Sequence, residues 1–455
     1  MRCSMQAKRE KGQIIVILAL AIVAVIGITA VAADGSMVYN ERREDQSIAD
    51  SVALAGAGNA AQSLKNETIT EKFCGYPDGT TATIAALDGA YNFALNNYDD
   101  DSGAPLTLEK NVADTENGII IGCDKDDIGR FYLDVTVVIT SSTDTFFRQV
   151  VTSEELRTQV ASTARVYPKQ PFAWGNGLVT VSRECANKVG GMTYEGGSDV
   201  LVKNAGILSY SCIKADANNI HVEVTGEDRG ISYTPSSLYG TSYIGCKGCD
   251  TADMTPDPQP LSEPPPLIPL DPPECGTGSF VNAPSSGTIT PGNYKSIKTS
   301  GDLLMKPGLY CIQGDFENSK GNVTGERVNL YFTTEANVSL NNNCTNPSKC
   351  NSLILSAPDC ETADAGCGVP PAVRGLLMYF AEPSSISING GSANIFEGTI
   401  YAPSSEVTLN GGSTTTTINT QIVASFIKVN GGALLEMNLE GAEMVQLPAQ
   451  IDLLR

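Results

Sequence analysis

The chain has 455 residues, with 51 Asp and Glu against 30 Lys and Arg and a formal net charge of -21. That acidity sets it against nucleic acid and anionic lipid as partners, and the length points to about three domains rather than one. Only 18% of residues are charged while 44 are Gly, which together with abundant Thr, Ser and Asn favours turns and short strands over helices.

In chain order, the first predicted element is a membrane helix. Arg2, Lys8, Arg9 and Lys11 precede it against Glu10 alone, and residues 14–33 then run without a charge. Twenty residues at ~1.5 Å each span about 30 Å, the thickness of a bilayer core. Ile14, Ile17, Leu20, Val23, Ile26 and Val31 are the expected anchor, and the basic flank keeps residues 1–13 in the cytosol and sends the remainder outward. Those 13 residues carry four bases and one acid, so the exported part carries -24. A competing reading is a cleaved secretory signal ending at Ala30-Val31-Ala32, although the apolar run is longer than a signal core.

A charge-rich stretch, Asn40 to Gln46, leads into an alanine-rich helix. Ala49, Ala53, Gly56 and Ala60 share one face of it, and small residues at that spacing let another backbone approach closely. They are the expected helix interaction face.

The run Lys11-Gly12-Gln13, the apolar core, Ala33-Asp34-Gly35, Tyr39, Arg42-Arg43, Gln46 and Ala49-Asp50 resembles the N-terminus of TadE/TadG-like proteins of tight-adherence (Flp) pilus assembly. The likeness covers about the first 60 residues, with a weaker echo through a helix at 85–96, a strand at 131–140, Phe146-Phe147 and residues 160–166. It implies a bacterial cytoplasmic membrane location, other pilus-assembly or surface-appendage proteins as partners, and an α+β pilin-like stalk over 34–168. Prepilins cut by the dedicated peptidase carry Glu five residues after the cleavage-site Gly, and Ile17 stands there, so processing as a major pilin is not expected.

Thirteen cysteines make sense on this topology. With Cys3 cytosolic, twelve remain, an even number suited to pairing in an oxidising compartment. Nearest-neighbour pairing would join Cys74 to Cys123, Cys185 to Cys212, Cys246 to Cys249, Cys275 to Cys311, Cys344 to Cys350 and Cys360 to Cys367, but spacing does not fix connectivity. Cys246 and Cys249 could instead form half of a zinc site or a redox pair, although no second Cys-x-x-Cys exists and the single histidine, His221, is remote in sequence.

Residues 177–181, 197–202, 206–211 and 220–224 read as short strands of a β-rich domain over 169–254. Nine prolines between 255 and 273 then forbid ladders and read as a semi-rigid linker over 255–275. Beyond it lies an internal repeat. Asn389-Gly390-Gly391, Asn410-Gly411-Gly412 and Asn430-Gly431-Gly432 each close an apolar-polar-apolar triplet, at offsets of 21 and 20 residues, with another strand between copies. That period predicts a β-solenoid over 276–455, with Ile388, Leu409 and Val429 in one interior row and the glycines Gly390, Gly411 and Gly431 at corners. Ordinary Asn-Gly hairpins are the alternative. Pro-Gly-x-Tyr turns at 291–294 and 307–310 and the 398–403 stretch resemble solenoidal regions attached to some pilus-assembly and bactofilin-like proteins.

The fold class expected is thus mainly β, with an N-terminal transmembrane helix, a small α+β stalk and β-solenoid bodies, and the function structural. β-Helices also build polysaccharide-cleaving enzymes, which need opposed carboxylates or a base over the sugar. From 384 to 454 the only base is Lys428, and the acids form no repeated pair. Nucleophile-elbow, zinc-protease, phosphate-loop and von Willebrand-type Asp-x-Ser-x-Ser patterns are missing, so no catalytic residue, metal or cofactor is expected, while a glycan remains a possible ligand. Acids at 99–101 and at Asp124, Asp126 and Asp127 suit a hard cation in kind, but Ile128 and Val135 occupy acid positions of an EF-hand loop, and solvated loop charge is the simpler reading.

Overall fold

The computed structural model describes residues 13–64, 74, 80–112, 116–126, 130–143, 156–184, 191–215, 220–226, 229–235, 244–246, 254–340, 352–360, 368–389, 394–411, 416–431, 434–441 and 444–454. The chain is mainly β with an N-terminal apolar helix, and it divides into two compact units, residues 1–170 with 448–455, and residues 171–447.

The first unit is built on α1 (Gln13–Ser63) and α2 (Thr81–Asn97) against an antiparallel sheet of β1 (Gly118–Lys125), β2 (Phe131–Thr143), β3 (Leu156–Tyr167) and β4 (Gln450–Leu454). The Thr80 hydroxyl caps α2 by accepting from the Thr83 amide at 3.2 Å. Alanines 86, 90 and 94 recur every fourth residue along α2 and lie buried against the alanine face of α1. Strand β2 alternates: Leu133, Val135, Val137 and Ile139 face the helices, while Asp134 turns outward to accept two hydrogen bonds, at 2.8 and 2.9 Å, from Arg165 across the ladder.

The second unit is a stack of parallel strands in which each strand of the 287–356 region pairs with the strand three places further on. Gly287–Ile289 pairs with Leu303–Met305, and that strand with Val323–Gly325. The two other ladders, starting at Gly292–Tyr294 and Ile297–Thr299, follow the same rule. Alternation gives each strand an inward and an outward set, as in Ser385–Asn389, where Ile386 and Ile388 are buried. Inward aromatics stack between rungs, Phe332 on Phe380 with centroids 4.4 Å apart.

The expected division into a 169–254 domain, a linker and a 276–455 solenoid domain does not hold. Asn176–Thr180, Met192–Glu195 and Asp199–Lys203 pair in parallel with residues 422–424, 427–430 and 434–438, so the first rung of the unit lies on its last. From that seam the chain builds outward through Gly206–Ser209, Ile213–Ala215 and His221–Thr225 to Ile231–Tyr233, Ile244–Cys246 and Met254–Thr255.

The Pro-rich segment then runs back along the stack instead of separating two bodies. Leu261, Leu267 and Leu270 pack on Val179, Leu208, Tyr210, Tyr379 and Tyr401. The hydroxyls of Tyr210 and Tyr379 donate to the carbonyls of Pro265 and Leu270. Proline removes amide donors but leaves carbonyls, and these side chains satisfy them. The last residues leave this unit too: β4 completes the sheet of the first unit, so 171–447 is an insertion between two neighbouring strands of that sheet.

Candidate functional site

The anchor half of α1 stands bare. Ile15, Ile17, Leu20, Val23, Ile26 and Val31 are exposed, Val31 to 75%, and α1 is the one helix among the described residues long and apolar enough to cross a membrane. Such an apolar surface fits a single-pass membrane anchor.

The small-residue face has a partner within the chain. Ala49, Ala53, Gly56 and Ala60 are buried in the core of the first unit, against α2 and β2. A Cβ on Gly56 would lie 2.9 Å from the Ala86 carbonyl oxygen and 3.0 Å from both the Ala90 Cβ and Val135 Cγ1. The backbone that approaches this face closely is that of α2 in the same chain.

A cleft of about 410 Å3 in the first unit gathers Glu41, Glu44 and Asp45 of α1 with Asp99, Asp100 and Asp101 from one loop and Glu116 from another; among the described residues that line it, Arg157 is the only base. Residues 41–45 lie roughly 12–18 Å along α1 beyond residue 33. Asp45 is 4% exposed and accepts from the Ser141 hydroxyl at 2.5 Å. Burial pushes its carboxyl above the ordinary range, with Asp101 and Glu44 adding to the rise and the hydroxyls of Ser141 and Thr158 opposing it. Glu41 is raised by burial and by Asp45, Glu44 and Asp101. The cleft attracts cations and repels anions, but no group of three His, Cys, Asp or Glu among the described residues is disposed to hold a metal ion.

The acidic loops are occupied by local bonding. Asp100 accepts from the Ser102 amide and hydroxyl and the Ala104 amide, Asp101 from the Ser142 amide and hydroxyl, and Asp126 from the amide and guanidinium of Arg130. His221 is exposed on its strand. Sequence reading missed this cleft because its acids come from three separate places along the chain.

Two disulfides are formed as spacing suggested, Cys74–Cys123 and Cys275–Cys311, and Cys212 and Cys360 are also disulfide-bonded. Cys3, Cys185, Cys249, Cys344, Cys350 and Cys367 lie outside the described residues, as do Gly390, Phe146 and Phe147; Cys246 lies in its strand.

Asn389, Asn410 and Asn430 occupy one register position in successive rungs. Asn410 Nδ2 donates to Asn389 Oδ1 at 2.7 Å and Asn430 Nδ2 to Asn410 Oδ1 at 3.2 Å, a continuous amide ladder. Gly431 follows with φ of 130°, a conformation that favours glycine. Ile388, Leu409 and Val429 are buried beside them.

Residues 12–61 match the family model Tad, described as "Putative Flp pilus-assembly TadE/G-like". The matched stretch is essentially α1. No curated protein and no solved structure matches the chain.

Proposed function

We propose that this chain is a non-enzymatic, single-pass structural component of a tight-adherence pilus system, held in the bacterial cytoplasmic membrane by residues 14–33 and carrying both units on the extracytoplasmic side. The observation that carries the reading is the coincidence of the Tad match with α1, one continuous helix whose first part is bare and apolar and whose second part is the spine of a folded unit. A helix of 51 residues is about 77 Å long, enough to cross a bilayer and still organise a domain beyond it.

In this reading the three parallel ladders form a stacked body with a long lateral surface. Disulfides at Cys74–Cys123 and Cys275–Cys311 fit an oxidising compartment. Pilus-assembly proteins are the partners, joining this chain in anchoring, initiation or decoration of the appendage.

Crosslinking in intact cells tests it. A photoreactive residue at Leu54, exposed on the folded part of α1, should capture pilus-system proteins, and an impermeant amine reagent should reach the second unit from outside. Labelling of that unit only after the cytoplasm is opened would contradict the proposal.

A further inference from the structure

We propose that the Cys275–Cys311 disulfide is the latch of a strap, and that opening it uncovers a row of tyrosines on the second unit. The strap is the Pro-rich segment. At one end it grows out of Gln259–Pro260, a strand paired with Ile231–Tyr233, and at the other it reaches Cys275, bonded to Cys311 in the strand Gly308–Ile312. Between those points the ladder takes eight strand-to-strand steps, through 231–233, 206–209, 176–180, 420–424, 399–402, 376–380 and 328–332. At ~4.8 Å per step that is about 38 Å, and fifteen residues at ~3.1 Å each cover about 46 Å, so the strap crosses the stack nearly taut.

It also crosses the seam where the first rung lies on the last. Between its ends it is held by three leucines, by the buried Pro264 and Pro273 and by tyrosine hydroxyls reaching its carbonyls, and just beyond Cys275 the Asn293 side-chain amide donates to the carbonyls of Gly276 and Gly278 at 2.8 and 2.5 Å. Such a segment makes few bonds of its own, and tethering at both ends keeps its local concentration over the tyrosines high. Beneath it Tyr379 lies against Tyr331 and Tyr401, with centroids 5.4 and 5.2 Å away. Cys311 is buried whereas Cys275 is half-exposed, so an incoming thiolate meets Cys275 first. Exchange with a dithiol breaks the S–S bond, leaves Cys275 and Cys311 as thiols, and releases the reagent as its own disulfide, a balanced two-electron step.

The test uses the full chain in detergent micelles, comparing wild type, Cys275→Ser/Cys311→Ser, and Cys74→Ser/Cys123→Ser as a control. Hydrogen exchange at the non-proline amides of 261–275 should quicken at least tenfold in the first variant alone, and nitration of Tyr379 and Tyr210 should rise severalfold. Strands Val328–Phe332 and Leu376–Phe380 should keep their protection. Unchanged exchange in the strap, or equal loss of protection in those strands, would overturn the proposal, the second outcome because the bond would then be holding the unit rather than the strap. Should the variant fail to fold, wild type titrated with a dithiol and alkylated gives the same readouts. Resistance of Cys275 to reduction until the ladder itself unfolds counts equally against it.

Discussion

Thr399 and Gln421 lie in adjacent rungs, both fully buried, and the threonine hydroxyl donates to the glutamine Oε1 at 3.1 Å. The pair binds the two places where the chain passes into and out of the second unit. Gln421 Nε2 donates to the carbonyls of Phe172 and Asn176 at 2.9 and 2.7 Å, and the Val445 amide donates to Thr399 Oγ1 at 3.1 Å. Replacing Gln421 with Leu keeps the volume but strands these buried groups, at a cost of roughly 2–4 kcal/mol. Denaturant unfolding of the second unit measures it, and a loss under about 0.5 kcal/mol would show the network to be dispensable.

Two glycines on α1 should respond in opposite directions to the same substitution. Gly56→Ala forces a methyl group into contacts of 2.9 and 3.0 Å with α2 and β2 and should destabilise the first unit by about 1–3 kcal/mol. Gly58, two residues on, has nothing within 4 Å, and Gly58→Ala should stabilise it by about 0.5–1 kcal/mol through helix propensity. Thermal unfolding of both variants checks the sign of each effect.

The acidic cleft predicts a pH dependence. Asp45 and Glu41 have folded-state values raised above their unfolded ones, so between the ordinary and the raised values the folded state binds more protons. Stability from these groups is therefore present below that window and falls as pH rises through it. Asp45→Asn, which retains an acceptor for Ser141, should flatten the dependence and raise stability at neutral pH. A steeper fall in the variant would show that the charge is stabilising.

Cysteine chemistry gives a further check. Alkylation of the unreduced protein followed by peptide mapping should find Cys3 reactive and the other twelve cysteines paired. Several free thiols beyond residue 13, or metal retained at Cys246 and Cys249, would contradict an oxidising location.

The parts of this fold that were legible in the sequence are those written in local pattern. The charge-free run 14–33 and the Asn-Gly-Gly offsets need only neighbouring residues to be read, and the strand Phe131–Thr143 announces itself by alternation. The seam was illegible because its register partners, such as Leu178 with Ile422, are separated by most of the unit. The prolines were read correctly as extended chain and wrongly as a spacer, since their hydrogen-bond donors, Tyr210 and Tyr379, lie on rungs from both sides of the seam. Likewise the alanine face of α1 shows that something packs closely, while only the fold shows that it is α2.

Deleting the gene in a piliated host and complementing it is the most direct measurement of the central claim. The account predicts that surface pili and attachment are lost on deletion, restored by the full chain, and not restored by residues 34–455 exported without the membrane segment. Normal pilus number and attachment in the deletion strain, or full rescue by the anchorless chain, would contradict it.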